Sequence, residues 1–340
     1  MAGHHNILII GGGTAGITVA AQLKLKDRSL DVAIIEPSEA HYYQPAWTLV
    51  GAGTFDQEST RKPEADYIPK GVTWIKERVA SITASDNKVR LESGEDVTYD
   101  YLVVAAGIQI DWAKVKGLPE ALGKGGVCSN YLYEQAPYTW EVLKSLKAGD
   151  KAFFTQPNTP IKCGGAPQKI MWLTADHLRQ NGLQGKVDVE MMSPGTMLFG
   201  VEVFRNALLK VQARYGAKWS HHTNLVEIRG DKNEAVFDLL DPETGAVTGQ
   251  RVERYNMIHI VPPQSAPDFI KQSDVANAEG WVEVDKNTLQ HTRFANVFSL
   301  GDSAGTPNAK TGAAVRKQAP IMVANLLRVM KENKLTDDKR

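Results

Sequence analysis

Apolar residues come in short runs that glycine closes. The first is Ile7–Ile10, followed at once by Gly11-Gly-Gly13-Thr-Ala-Gly16. From Ile17 to about Lys26 the apolar positions Ile17, Ala20, Ala21 and Leu23 fall at helical spacing, which predicts a helix. Asp31–Ile35 is a second buried-strand pattern, closed by Glu36 and Pro37, so the opening reads as one β-α-β unit. Tyr101–Gly107 reads as a further buried strand ending on small residues. A second α/β pattern starts near Lys151: a strand over Ala152–Thr155, a turn-rich stretch to Pro167, a helix from Gln168 to about Arg179 and a strand over Val187–Met192. Residues 235–262 alternate and carry turn residues, which predicts antiparallel strands. Asn296–Asp302 returns to a strand ending in glycine, and the charged stretch Lys331–Arg340 reads as a frayed tail.

Composition narrows the class. The 340 residues suit two domains, and 39 basic against 39 acidic side chains give no nucleic-acid surface and no polybasic membrane patch. No apolar run approaches the roughly 18–20 residues of a spanning helix. The first strand begins so early that no signal or transit peptide is expected ahead of it. Two cysteines, Cys128 and Cys163, are too few for a disulfide framework and wrongly spaced for zinc, so no metal site is expected.

The glycine loop has the G-x-G-x-x-G pattern of a dinucleotide fold. Gly11 makes the tight turn, Gly13 lets the backbone approach a pyrophosphate, and Gly16 lets helix and strand pack closely. Thr14 and Ala15 complete the helix N-terminus that faces the phosphates. Glu36, twenty residues after Gly16, accepts from ribose hydroxyls and repels the 2′-phosphate of NADP. Gly301-Asp302 and the strand ending at Gly107 resemble two markers of the two-dinucleotide flavoproteins, and that resemblance implies FAD with Asp302 on its ribityl chain. Pro160–Met171 has a cysteine, two glycines and a proline where a second nucleotide loop would be expected. Cys163 there lies just ahead of a predicted helix, with Lys162 and Lys169 near it in sequence, a setting that favours thiolate. Cys128 reads equally as an incidental buried thiol.

On His41–Pro45, Val127–Tyr131, Pro157–Met171, Gly280–His291 and Lys310-Thr311, spread over nearly the whole chain, the sequence resembles the sulfide:quinone oxidoreductases, nearest the branch with the mitochondrial enzyme. The resemblance implies an α/β fold of two Rossmann-like dinucleotide-binding domains, glutathione-reductase-like, the second inserted in the first. The boundaries expected are 1–112 with 286–330 for the FAD domain, 113–285 for the domain with the redox cysteine, and 331–340 for the tail. It implies oxidation of sulfide to a Cys163 persulfide, with the electrons passing through FAD to ubiquinone or menaquinone. A thiol or sulfite would then accept the sulfur. The FAD contacts carried over are Gly11, Gly13, Thr14, Ala15, Gly16, Glu36, Gln44, Gly107, Gly301 and Asp302. Lys310 matches a lysine near the flavin edge, against its plainer reading as a surface lysine. Cys128 is a candidate for a second sulfur relay.

The family's second redox cysteine and its amphipathic C-terminal helices follow the segment matching Lys310–Met330, and this sequence holds neither. It reads as a truncated chain or a natural short form. Peripheral attachment to a respiratory membrane is expected, a bacterial inner membrane ahead of a mitochondrial one; homo-oligomerisation stays open. Two other readings share the scaffold: an NADH:quinone oxidoreductase, which needs a second glycine loop near Gln156, and a flavin- and sulfide-binding form without turnover. His41, His177 and His291 are candidate proton relays or ordinary structural histidines.

Overall fold

The computed structural model describes residues 3–337, and the chain divides into two compact units. The first takes the chain up to Tyr42, Arg61–Gln109 and everything from Ser265; the second takes Tyr43–Thr60 and Ile110–Gln264.

The first unit is built on a seven-stranded sheet. Its spatial order is Thr73–Ile75, Val32–Ile35, His4–Ile10, Asp96–Val104, Lys88–Leu91 and Val79–Thr83, with Val297–Ser299 also on Asp96–Val104. His4–Ile10 runs parallel to both neighbours, in register Ile7↔Val32 and Ile7↔Tyr101. Ile7, Leu8, Ile9 and Ile10 are buried because helices cover one sheet face and loop segments the other. Each such side chain contributes about 1.5–3 kcal/mol by leaving water. The long strand Asp96–Val104 is shared: Thr98, Val97 and Asp96 pair with Lys88–Arg90, while Leu102–Val104 pair with Val297–Ser299. The helix Thr14–Lys26 follows the first strand directly, and Val19, Ala20 and Leu23 bury into the same cluster as Ala319, Met322, Val323 and Leu326.

Those last four residues belong to a 26-residue helix, Gly312–Asp337. The tail expected from Lys331 is therefore helical to Asp337, since the buried face at Leu326, Val329 and Met330 carries the helix onward. Residues 338–340 of that expected tail lie outside the described residues.

The second unit carries a parallel five-stranded sheet in the order Val127–Cys128, Met257–His259, Lys151–Thr155, Asp188–Met192, Lys218–Ser220. A three-stranded antiparallel sheet, Thr223–Arg229, Glu234–Leu240 and Val247–Arg254, accompanies it. The antiparallel expectation for 235–262 thus fails at its end. Met257–His259 joins the parallel sheet, because Ile258 and its neighbours are apolar enough to be buried between two strands.

Candidate functional site

In the first unit four parallel, adjacent strands end at one sheet edge, and each is followed by an expected nucleotide contact. Ile10 leads to Gly11, Ile35 to Glu36, Val104 to the stretch ending at Gly107, and Ser299 to Gly301-Asp302. Ligands of open α/β sheets bind outside such carboxyl ends.

The glycines differ in what constrains them. Gly11 has φ +103°, and a Cβ there would lie 2.5 Å from the Ala105 carbonyl oxygen. A Cβ on Gly16 would lie 1.8 Å from the Gly11 oxygen, so this helix can approach its strand only with glycine at that position. Gly13 is the helix N-cap and a Cβ there meets nothing within 4 Å; the same holds at Gly107. No side chain caps the helix, so its first-turn amides at Thr14 and Ala15 face that open space. Uncapped amides beside unfilled room are what a pyrophosphate requires. Glu36 accepts from the Gly12 amide at Oε2 and from the Ser38 amide at Oε1, both at 2.8 Å. These residues fit the adenosine diphosphate end of FAD.

Lys310 is half-buried, and burial lowers its pKa to about 8 against the pull of Asp302 and Glu279. Its ammonium donates to the Asp302 carbonyl (2.6 Å) and the Ala304 carbonyl (3.1 Å), and lies 3.7 Å from the centre of the Trp281 ring. The lysine thereby clamps the turn that presents Asp302. Gly301, at φ +70°, forms that turn, and its amide donates to Gln318.

Sequence reasoning missed Glu64. Its side chain is 2% exposed; Oε2 accepts from His41 Nδ1 at 3.0 Å, while Oε1 has no hydrogen-bond partner. The antiparallel pairing of Ala40–Tyr42 with Arg61–Pro63 brings this histidine and carboxyl together, and Tyr67 stacks on the imidazole at 4.8 Å. His291 has a structural use: its Nδ1 accepts from the Arg293 and Phe294 amides and its Nε2 donates to the Val275 carbonyl. His177 packs edge-on against Trp140 in the second unit.

Cys163 lies in the second unit. Its backbone is left-handed, φ +58°, a conformation that costs a non-glycine residue about 1–3 kcal/mol and recurs at functional sites. Its carbonyl accepts from the Ala166 amide (2.8 Å), which starts the helix Ala166–Gln180 with Pro167 in its first turn. The half-buried sulfur accepts from the Lys169 ammonium at 3.5 Å. Gly164 leaves the approach open, since a Cβ there meets nothing within 4 Å. Lys162 Nζ donates to Gln44 Oε1 at 2.5 Å and lies over the Tyr131 and Trp47 rings. Gln44, expected among the FAD contacts, is thus in the unit of Cys163 and not in that of the glycine loop.

Cys128 does not suit the relay role. It is fully buried, its thiol donates to the Ile258 carbonyl at 3.5 Å, and burial pushes its pKa up to about 12. A thiol held protonated in an apolar core is a poor nucleophile. Among the described residues no cluster of histidine, cysteine, aspartate and glutamate could hold a metal ion, and no helix is long and apolar enough to cross a membrane.

A pyridine nucleotide-disulphide oxidoreductase profile matches residues 5–138. The mitochondrial sulfide:quinone oxidoreductase of Dictyostelium discoideum is 48% identical over 94% of this chain and 70% of its own length. That of Mus musculus is 42% identical over 97% of this chain and 72% of its own. The solved structure of the sulfide:quinone oxidoreductase from Aquifex aeolicus superposes with a TM-score of 0.81 at 21% identity, covering 98% of this chain and 78% of that one, a likeness of fold.

Proposed function

Because the chain belongs to the sulfide:quinone oxidoreductase family, we propose that it oxidises sulfide at Cys163, with FAD as the resident electron carrier and a quinone as final acceptor. The observation that carries this reading is the setting of Cys163, which has an ammonium on its sulfur, a left-handed backbone and an open approach over Gly164.

The sulfur chemistry balances simply. The Cys163 thiolate and a hydrosulfide ion form one S–S bond, releasing one proton and two electrons and leaving a persulfide anion. Lys169 neutralises negative charge on the sulfur through a charge-assisted contact. FAD, when bound, would supply the two-electron acceptor between sulfide and quinone. The Gly11–Gly16 loop would hold its pyrophosphate, Glu36 its ribose and Asp302 its ribityl chain, with Lys310 fixing the turn that carries Asp302. A thiol or sulfite removes the persulfide sulfur. Attachment to the face of a respiratory membrane, where the quinone resides, belongs to the same proposal.

The test is anaerobic titration of the flavin-loaded protein with sulfide, followed by intact mass and then by a soluble quinone. The expected result is bleaching of the flavin, one added sulfur atom on the protein and recovery of colour with quinone. Cys163→Ser should retain FAD and lose both the bleaching and the added sulfur. Bleaching by NADH and not by sulfide would overturn the proposal. Failure of quinone to restore colour would remove turnover from it.

A further inference from the structure

Glu64 is a buried carboxyl with one oxygen committed to His41 and the other unpartnered. An unpaired polar atom in a protein interior is costly, and such atoms signal a missing partner. The position of this one is informative. A Cβ on Gly12 would come within 2.8 Å of Glu64 Oε1 and 2.6 Å of Glu36 Cγ, so both carboxyl side chains border the same point of the glycine loop. The uncapped helix N-terminus is one residue further on.

The chemistry of the missing partner follows. An acceptor oxygen calls for a donor, which excludes a phosphate, and a neighbouring acidic side chain makes an anion worse still. Glu36 already receives a backbone amide on each oxygen, which fixes its orientation and leaves it only its remaining lone pairs. The adenosine ribose presents two adjacent hydroxyls, each a donor.

We propose that Glu64 is a second ribose-binding carboxyl of the dinucleotide site, its Oε1 accepting from one adenosine hydroxyl while Glu36 accepts from the other. His41 is then a positioning residue: its Nδ1–H holds Oε2, the stacked Tyr67 holds the imidazole, and Oε1 is left directed at the ribose. The inference rests on the reading of this loop as an FAD site and assigns a residue to it.

The experiment is fluorescence titration of the flavin-free full-length protein with FAD, FMN, and FAD analogues carrying 2′-deoxy- or 3′-deoxyadenosine. Wild type should bind both deoxy analogues about tenfold more weakly than FAD, since each lacks the hydroxyl of one of the two carboxyls. Glu64→Gln should bind FAD about tenfold more weakly than wild type, lose nothing further with one of the two deoxy analogues, and still lose about tenfold with the other, whose missing hydroxyl belongs to Glu36. FMN, which lacks adenosine, should bind both proteins alike. Glu64→Asp, which draws the oxygen back while keeping the acid, should repeat the loss and carries the test if Glu64→Gln does not fold. Unchanged FAD affinity in both variants would overturn the assignment and leave the FAD site standing. Equal losses with FAD, FMN and both deoxy analogues would also overturn it, by showing a general effect on the fold. A wild-type protein that binds no FAD would remove both.

Discussion

Replacing Gly16 with alanine would put a methyl group 1.8 Å from the Gly11 carbonyl oxygen, with Ile9 Cγ2 at 3.3 Å closing the other side. The obstructing atom is backbone, so no rotamer change relieves the clash. The helix Thr14–Lys26 must retreat from its strand by more than about 1 Å, and overpacking of this kind costs about 3 kcal/mol. Alanine recovers about 1 kcal/mol through its higher helix propensity. The net loss of about 2 kcal/mol lowers the melting temperature of this unit by roughly 4–8 °C. The same retreat draws the first-turn amides away from the pyrophosphate. Losing one charge-assisted hydrogen bond weakens FAD by roughly ten- to a hundredfold. Gly13→Ala is the informative partner. Its φ of −70° suits alanine and its Cβ meets no protein atom, so the flavin-free protein should lose at most about 1 kcal/mol at this N-cap. The added methyl instead fills the space assigned to the dinucleotide, so FAD affinity should fall. Calorimetry of the flavin-free proteins and flavin fluorescence titration measure the two effects separately. Wild-type stability and affinity in Gly16→Ala would refute the close-approach reasoning, and wild-type affinity in Gly13→Ala would refute the path given to the dinucleotide.

Two further outcomes are expected. Cys163→Gly should be more stable than Cys163→Ala by about 1 kcal/mol in urea unfolding, since only glycine adopts φ +58° freely; equal stabilities would mean that the turn relaxes on substitution. His259 is 1% exposed with its Nε2 accepting from the Asn130 amide, and burial lowers its pKa from 6.5 to about 3. A histidine held neutral when folded contributes stability that is complete above pH 6.5 and is lost as pH falls towards 3. His259→Gln should flatten that window in acid-unfolding curves; an unchanged slope would assign the acid sensitivity to other groups.

The first β-α-β unit could be read from the sequence because its glycines, apolar runs and terminal glutamate are all local. Cys163 stood out for the same reason, since the chemistry of its turn is written in consecutive residues. Glu64 did not. It sits in a single 3₁₀ turn, Glu64–Asp66, with no periodicity to mark a buried face, and its meaning depends on His41, which lies on the other strand of a short antiparallel pair. Sequence reasoning also missed the helix Glu202–Tyr215, although Val203, Phe204, Ala207, Leu208 and Val211 fall at helical spacing; the structure buries none of them. Met257–His259 shows the limit of alternation as a guide: three apolar-rich residues declare a strand but not the direction of its partners.

The four-strand edge of the first unit has a consequence for how the protein is made. Its nucleotide loop precedes in the chain the segments that complete it: Val297–Ser299 must pair with Leu102–Val104, and the helix from Gly312 must cover Val19 and Leu23, before that edge is whole. On the ribosome the opening β-α-β unit therefore waits, with apolar surface uncovered, while most of the chain is translated. Domains usually complete themselves in order of emergence; here the second unit emerges between the two parts of the first, so flavin capture follows the arrival of Val297–Ser299 and the helix from Gly312.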